Sequence, residues 1–140
     1  MSFPMWKAMV GLLVTIPDSE FHGGELHPAV AAQAGMLAAV IARYPGLRVE
    51  IEGMTDSAAT TPISSARAEA VKRAMLEQGL PASRVSARGL GDARPLVSNS
   101  TASGREQNRR VEIIVSGEPI GTVPTWDRTY SLAPGPRGNR

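Results

Sequence analysis

An α+β fold is predicted for this chain of 140 residues: a two-layer sandwich with helices on one face of a small mixed four-stranded sheet. Three observations predict it. Apolar residues alternate at Val10, Leu12, Val14 and Ile16, and again at Val111, Ile113 and Val115, the two-residue period of strands with one buried face. Two intervening stretches carry apolar residues at helical spacing. The elements follow one another as β-α-β-α-β-β, an order that places the helices over a shared sheet.

Each element has its own signal. After the first strand, Pro17 to His27 is a loop rich in glycine and acid. Pro28 suits the first turn of a helix, and Val30, Ala34, Leu37, Ala38 and Ile41 continue it until Pro45-Gly46. Arg48-Val49-Glu50-Ile51-Glu52 alternates charged and β-branched residues, so it reads as a second strand with one solvated face, closed by Gly53. Ser64 is the expected N-cap of a second helix burying Ala68, Val71 and Met75 and ending at Gly79 and Pro81. Arg84 to Gly91 is a short third strand, Asp92 to Gln107 a polar loop without periodicity, and Val111 to Val115 the fourth strand.

Residues 1–116 thus form one domain, and 117–140 a Pro/Gly-rich extension holding Pro119, Pro124, Pro134 and Pro136. Trp126 and Tyr130 are its aromatic exceptions, expected to pack on the sheet. The apolar run Lys7 to Ile16 is too short to span a bilayer, and Pro17-Asp18-Ser19-Glu20 reads as a turn where a signal peptide would place small residues. With no cysteine, thiol catalysis, disulfides and thiolate metal sites are excluded. The net charge is +2, yet thirteen of fifteen basic residues are arginine, a bias toward bidentate recognition of oxyanions over diffuse attraction to polyanions.

Candidate binding residues sit where elements end. Asp56 follows the second strand in the turn feeding the second helix, where it either caps the turn or accepts from a ligand cation. Arg67 falls at the third position of a helix capped by Ser64, beside free N–H groups that would share an incoming carboxylate. The competing reading pairs Arg67 with Asp56 internally. Strand parity puts Arg109 on the face of Val111 and Ile113, toward the helix ends, and Arg110 on the open face of the sheet, in a salt bridge such as one with Glu106. An acid with an arginine opposite suits a zwitterion, one accepting from an ammonium while the other forks onto a carboxylate.

Gly53-Met54-Thr55-Asp56, Ile63-Ser64-Ser65-Ala66-Arg67-Ala68, Gly89-Leu90-Gly91-Asp92-Ala93-Arg94-Pro95 and Gly104-Arg105-Glu106-Gln107-Asn108-Arg109-Arg110-Val111-Glu112-Ile113 together resemble the OmpA C-terminal domain family over about residues 10–116. The resemblance implies a periplasmic domain that binds the diaminopimelate of the peptidoglycan stem peptide. By matching motif it assigns the ammonium to Asp56 and the carboxylate to Arg67, with Arg109 in support. His22 and Ser57 join them as polar contacts. The family usually has histidine or an aromatic at Met54, and a longer loop than the one that here holds Thr60, Thr61 and Pro62.

The resemblance further implies a noncovalent wall anchor, tethered to the outer membrane of a Gram-negative bacterium through an anchor ahead of Met1. No cofactor, metal or nucleic-acid partner is expected; oligomeric state stays open, with a homodimer among the options. A cell-wall-modifying enzyme using Asp56 and His22 is the alternative, but the sequence has no H-E-x-x-H motif, no nucleophile elbow and no second carboxylate flanking Asp56. An RNA-binding α/β module is the third, and its strands lack an aromatic stacking platform.

Overall fold

A computed structural model describes residues 11–117 and, for the backbone alone, residues 10 and 129–131. Strand β1 (Val10–Pro17) leads through a 3-10 turn, Asp18–Glu20, into a small hairpin of β2 (Phe21–His22) and β3 (Glu25–Leu26). Helix α1 (Pro28–Ala42) follows, then β4 (Leu47–Met54), α2 (Thr61–Leu76), β5 (Val85–Gly91), α3 (Ala102–Asn108) and β6 (Arg110–Gly117). A short β7 (Thr129–Ser131) completes the set. The main sheet runs in the order β5-β4-β6-β1-β7: β6 is antiparallel to both β1 and β4, and β5 is parallel to β4. The four expected strands form its body, and β7 adds a fifth at the edge, parallel to β1.

The period-two reading of the strands holds because one sheet face is dry. Val14, Ile16, Val49, Ile51, Val111, Ile113 and Val115 meet Val30, Ala34, Ala38 and Ile41 of α1 and Ala68, Val71 and Met75 of α2 in one core. Pro28 opens α1 as its sequence predicts, with the His27 ring as cap: Nδ1 accepts from the Ala29 N–H at 3.1 Å. At the far end of α1 the Arg84 guanidinium donates to the carbonyls of Ile41, Ala42 and Tyr44 and to that of Leu47, supplying side-chain donors to carbonyls at and just beyond the helix terminus.

Two boundaries differ from the sequence expectation. Helix α2 starts at Thr61, with Pro62 in its first turn, so Ser64 lies inside the helix, its hydroxyl donating to the Thr61 carbonyl at 2.7 Å. The polar stretch 92–107 contains α3, whose cap is Thr101: Oγ1 accepts from the Gly104 N–H at 2.9 Å. The packing expected of Trp126 and of the Tyr130 side chain lies outside the described residues, although the Tyr130 backbone is paired opposite Val14.

Candidate functional site

Sheet order and register bring the candidate charges together. Arg110, the first residue of β6, pairs with Pro17 at the end of β1 on one side and with Met54 at the end of β4 on the other. Arg109, one residue earlier, therefore emerges between the residues that leave those two strands, Asp18 and Asp56. Helix α2 comes in from above because β4 and β5 are glycine-lined there. A Cβ on Gly53 would overlap the Ser64 carbonyl, and one on Gly89 the Ser65 backbone, so glycine lets the helix rest directly on strand backbone. That close seat carries Arg67, on the second turn of α2, to the same end of the sheet.

The result is an alternating chain of charges, Arg67, Asp18, Arg109, Asp56. Arg67 Nη1 donates to Asp18 Oδ1 at 2.7 Å, Arg109 Nε lies 3.3 Å from Asp18 Oδ2, and Arg109 Nη1 donates to Asp56 Oδ2 at 2.9 Å. Arg67 is the most enclosed of the four, with 9% of its side chain exposed. Its Nε donates to the Gly23 carbonyl at 2.7 Å and its guanidinium lies 4.8 Å from the centre of the Phe21 ring, so the β2–β3 hairpin forms one wall of the cluster. Arg109 keeps 33% of its side chain open to solvent. Burial alone would lower its pKa, but the charge of Asp18, a hydrogen bond to Asp56 and the remaining interactions with the same two acids outweigh it, holding the pKa above the usual arginine value.

A layer of neutral hydrogen bonds fixes the turn that carries Asp56. Asn99 Nδ2 donates to the Asp56 carbonyl at 2.9 Å, and Asn99 Oδ1 accepts from Asn108 Nδ2 at 2.7 Å. Asn108 is buried; its Oδ1 accepts from the N–H groups of Leu96 and Val97, and its amide also donates to the Val97 carbonyl. Ser57, one of the expected polar contacts, caps the following 3-10 turn, its Oγ accepting from Ala59 N–H at 3.1 Å while its carbonyl accepts from the Thr55 and Thr60 hydroxyls. His22 is exposed on β2, facing the hollow framed by Ser19, Glu25 and Pro28.

Three sequence expectations need correction. Arg67 is not at the third helical position, because α2 begins at Thr61; free helix-terminal N–H groups therefore do not surround its guanidinium. The internal partner of Arg67 is Asp18, 49 residues away, and not Asp56, which pairs with Arg109. Arg110 does lie on the sheet's other face and in a salt bridge, but with Glu112 at 3.0 Å instead of Glu106, and it is buried because the loop after β5 covers it, the Arg94 carbonyl accepting from it at 3.2 Å. Asp18, which the sequence marks only as part of the turn Pro17-Asp18-Ser19-Glu20, joins the cluster as well. It sits in a turn whose position beside Arg109 is set only by the β1–β6 pairing.

Two structural facts bound the chemistry. Among the described residues no group of three or more histidines and carboxylates is placed to hold a metal ion. Among them, too, no helix is long and apolar enough to cross a membrane.

The probable lipoprotein YiaD of Escherichia coli K12 is 44% identical over 95 residues, which cover 65% of this chain and 43% of YiaD. The peptidoglycan-binding protein ArfA of Mycobacterium tuberculosis is 35% identical over 98 residues, covering 67% of this chain and 30% of ArfA. Among solved structures, the cell wall anchor of the T6SS from Pseudomonas aeruginosa aligns with a TM-score of 0.63 at 29% identity, covering 76% of this chain and 81% of that one. The chain spans less than half the length of the two curated relatives. Residues 20–109, well over half of the sequence and including both long helices, match the OmpA family, and the chain belongs to that family.

Proposed function

We propose that this domain binds peptidoglycan noncovalently through the diaminopimelate head group of the stem peptide, anchoring an envelope component to the cell wall. The observation that carries the reading is the alternating cluster of two arginines and two aspartates, open to solvent chiefly at Arg109. An ammonium meets Asp56, and the adjoining carboxylate meets Arg109 and, behind it, Arg67. Names of relatives support it: ArfA is called a peptidoglycan-binding protein, and the Pseudomonas structure a cell wall anchor. We read the domain as a binder without catalytic function, situated in the periplasm and held to the outer membrane of a Gram-negative bacterium. Residues 1–116 form the binding domain and 117–140 an extension.

Binding exchanges internal ion pairs for ligand ones, so two or three charge-assisted hydrogen bonds of roughly 1.5 to 3 kcal/mol each give only weak affinity for an isolated fragment. Many repeats on a polymeric wall then hold the domain through effective concentration. Sedimentation with insoluble peptidoglycan tests this. Wild type co-sediments; Asp56→Ala, Arg67→Ala and Arg109→Ala remain in the supernatant while their amide spectra stay folded. Unchanged sedimentation of all three folded variants refutes the assignment.

A further inference from the structure

Asp18 is the member of the cluster that neither the motifs nor the family match supplies: it stands two residues ahead of the matched stretch, which begins at residue 20. Its two carboxylate oxygens reach different arginines, Oδ1 to Arg67 at 2.7 Å and Oδ2 to Arg109 at 3.3 Å. It thus bridges the two guanidiniums much as a ligand carboxylate would. We infer that Asp18 is a specificity-determining residue that makes the cluster select zwitterionic head groups over plain carboxylates. The inference rests on the reading of the cluster as the binding site.

The argument is one of charge and acceptor count. With Asp18 and Asp56 against Arg67 and Arg109, the four side chains sum to zero. Arg67 already commits Nε to the Gly23 carbonyl and Nη1 to Asp18, and Arg109 commits Nε to Asp18 and Nη1 to Asp56. A ligand that brings only a carboxylate must compete with Asp18 for the same donors and sits beside two acids of like charge. A ligand carrying an ammonium next to its carboxylate answers both: the cation meets the acids while the anion shares the arginines. Removing the Asp18 charge leaves two guanidiniums facing one acid, a net positive site with vacated donors. Such a site welcomes any carboxylate.

Meso-diaminopimelate and pimelate, the same carbon chain without its amines, provide the probes. Wild type and variants are titrated with each at fixed ionic strength, and the ratio of the two dissociation constants is read from amide shifts. Wild type favours diaminopimelate. Asp18→Asn lowers that preference about tenfold, chiefly by tightening pimelate binding, the equivalent of roughly 1.4 kcal/mol. Asp18→Glu retains the preference. Glu50→Gln, the same loss of charge at an exposed residue on the opposite sheet face, does not move it. Should Asp18→Asn fail to fold, Asp18→Ser makes the same test.

An unaltered ratio in Asp18→Asn, or an equal shift in Glu50→Gln, overturns the role of Asp18 while leaving the site intact. A wild type that sediments with the wall yet does not prefer diaminopimelate to pimelate also overturns it, and wall binding survives. A wild type that binds neither ligand nor wall refutes the binding reading and this inference together.

Discussion

Two arginine–carboxylate clusters, one on the sheet face away from the helices and one at the sheet end, are built inside out with respect to each other. On the face away from the helices the acid is the buried partner: Glu52 has 2% of its side chain exposed, and it is clasped by Arg88 at 2.8 Å and Arg94 at 2.9 Å, whose own side chains are 54% and 58% exposed. At the sheet end it is an arginine, Arg67, that is buried, while the acids and Arg109 reach the surface. The hydrogen bond to Glu52, with its charge, raises the pKa of Arg88, as the acids of the end cluster raise that of Arg109. What separates them is which charge would be stranded. Glu52 needs its two arginines to offset desolvation and has nothing left to offer a ligand. The end cluster shares Asp18 and Arg109 between two neighbours each and leaves Arg109 open, so a partner can replace the contact between them without stranding either charge.

The largest effect should come from breaking the closed cluster. Arg88→Ala combined with Arg94→Ala removes both arginines that clasp Glu52 and should cost about 3–5 kcal/mol, the usual loss when a buried charge is left unpaired. Urea unfolding measures it, and folded protein should sediment with peptidoglycan as wild type does. Gly53→Ala sharpens the contrast from the other side. Lifting α2 off β4 should cost about 1–3 kcal/mol and, by shifting Arg67, lower wall binding of the folded variant. If sedimentation is unchanged, the seat of α2 does not set the grip.

Glu52→Met should be smaller still, within about 1.5 kcal/mol of wild type, because an apolar side chain needs no partner and the two arginines are already hydrated. The least effect is expected from alkali. The raised pKa of Arg109 means its contribution is fully present below the unfolded arginine value and is lost only as pH climbs through the still higher folded value. The stability difference between wild type and Arg109→Ala should therefore be flat from about pH 7 to about pH 10. A steady decline across that range would show that the cation is not held as described.

The contrast also explains which features could be read from residues alone. Strands β1, β4 and β6 and helix α1 announce themselves because burial on one face imposes a period. The start of α2 was misjudged because Ser64 has the right side chain for a cap, whereas Pro62, a first-turn residue, pointed to the true start. Helix α3 buries only Gly104 and Asn108, too little to produce an apolar period; Thr101 three residues ahead of Gly104 was its one signal. Asp56, Arg67 and Arg109 were legible as end-of-element charges, but their pairing was not. It depends on β6 lying between β1 and β4, a fact of topology that local spacing does not contain. The arginine bias was no guide to site number either: Arg84, Arg88, Arg94 and Arg110 all serve the fold's own carbonyls and carboxylates.

The distances in sequence between the end-cluster partners have a consequence for when the grip exists. Arg67 and Asp18 are 49 residues apart, and Arg109 and Asp56 are 53 apart. Neither contact forms from a local segment, so both wait for long loops to close. A chain whose sheet has not yet assembled carries every charge and no clasp. Under the proposed function the wall then acts as a conformational filter, retaining finished molecules and leaving incomplete ones free to be degraded.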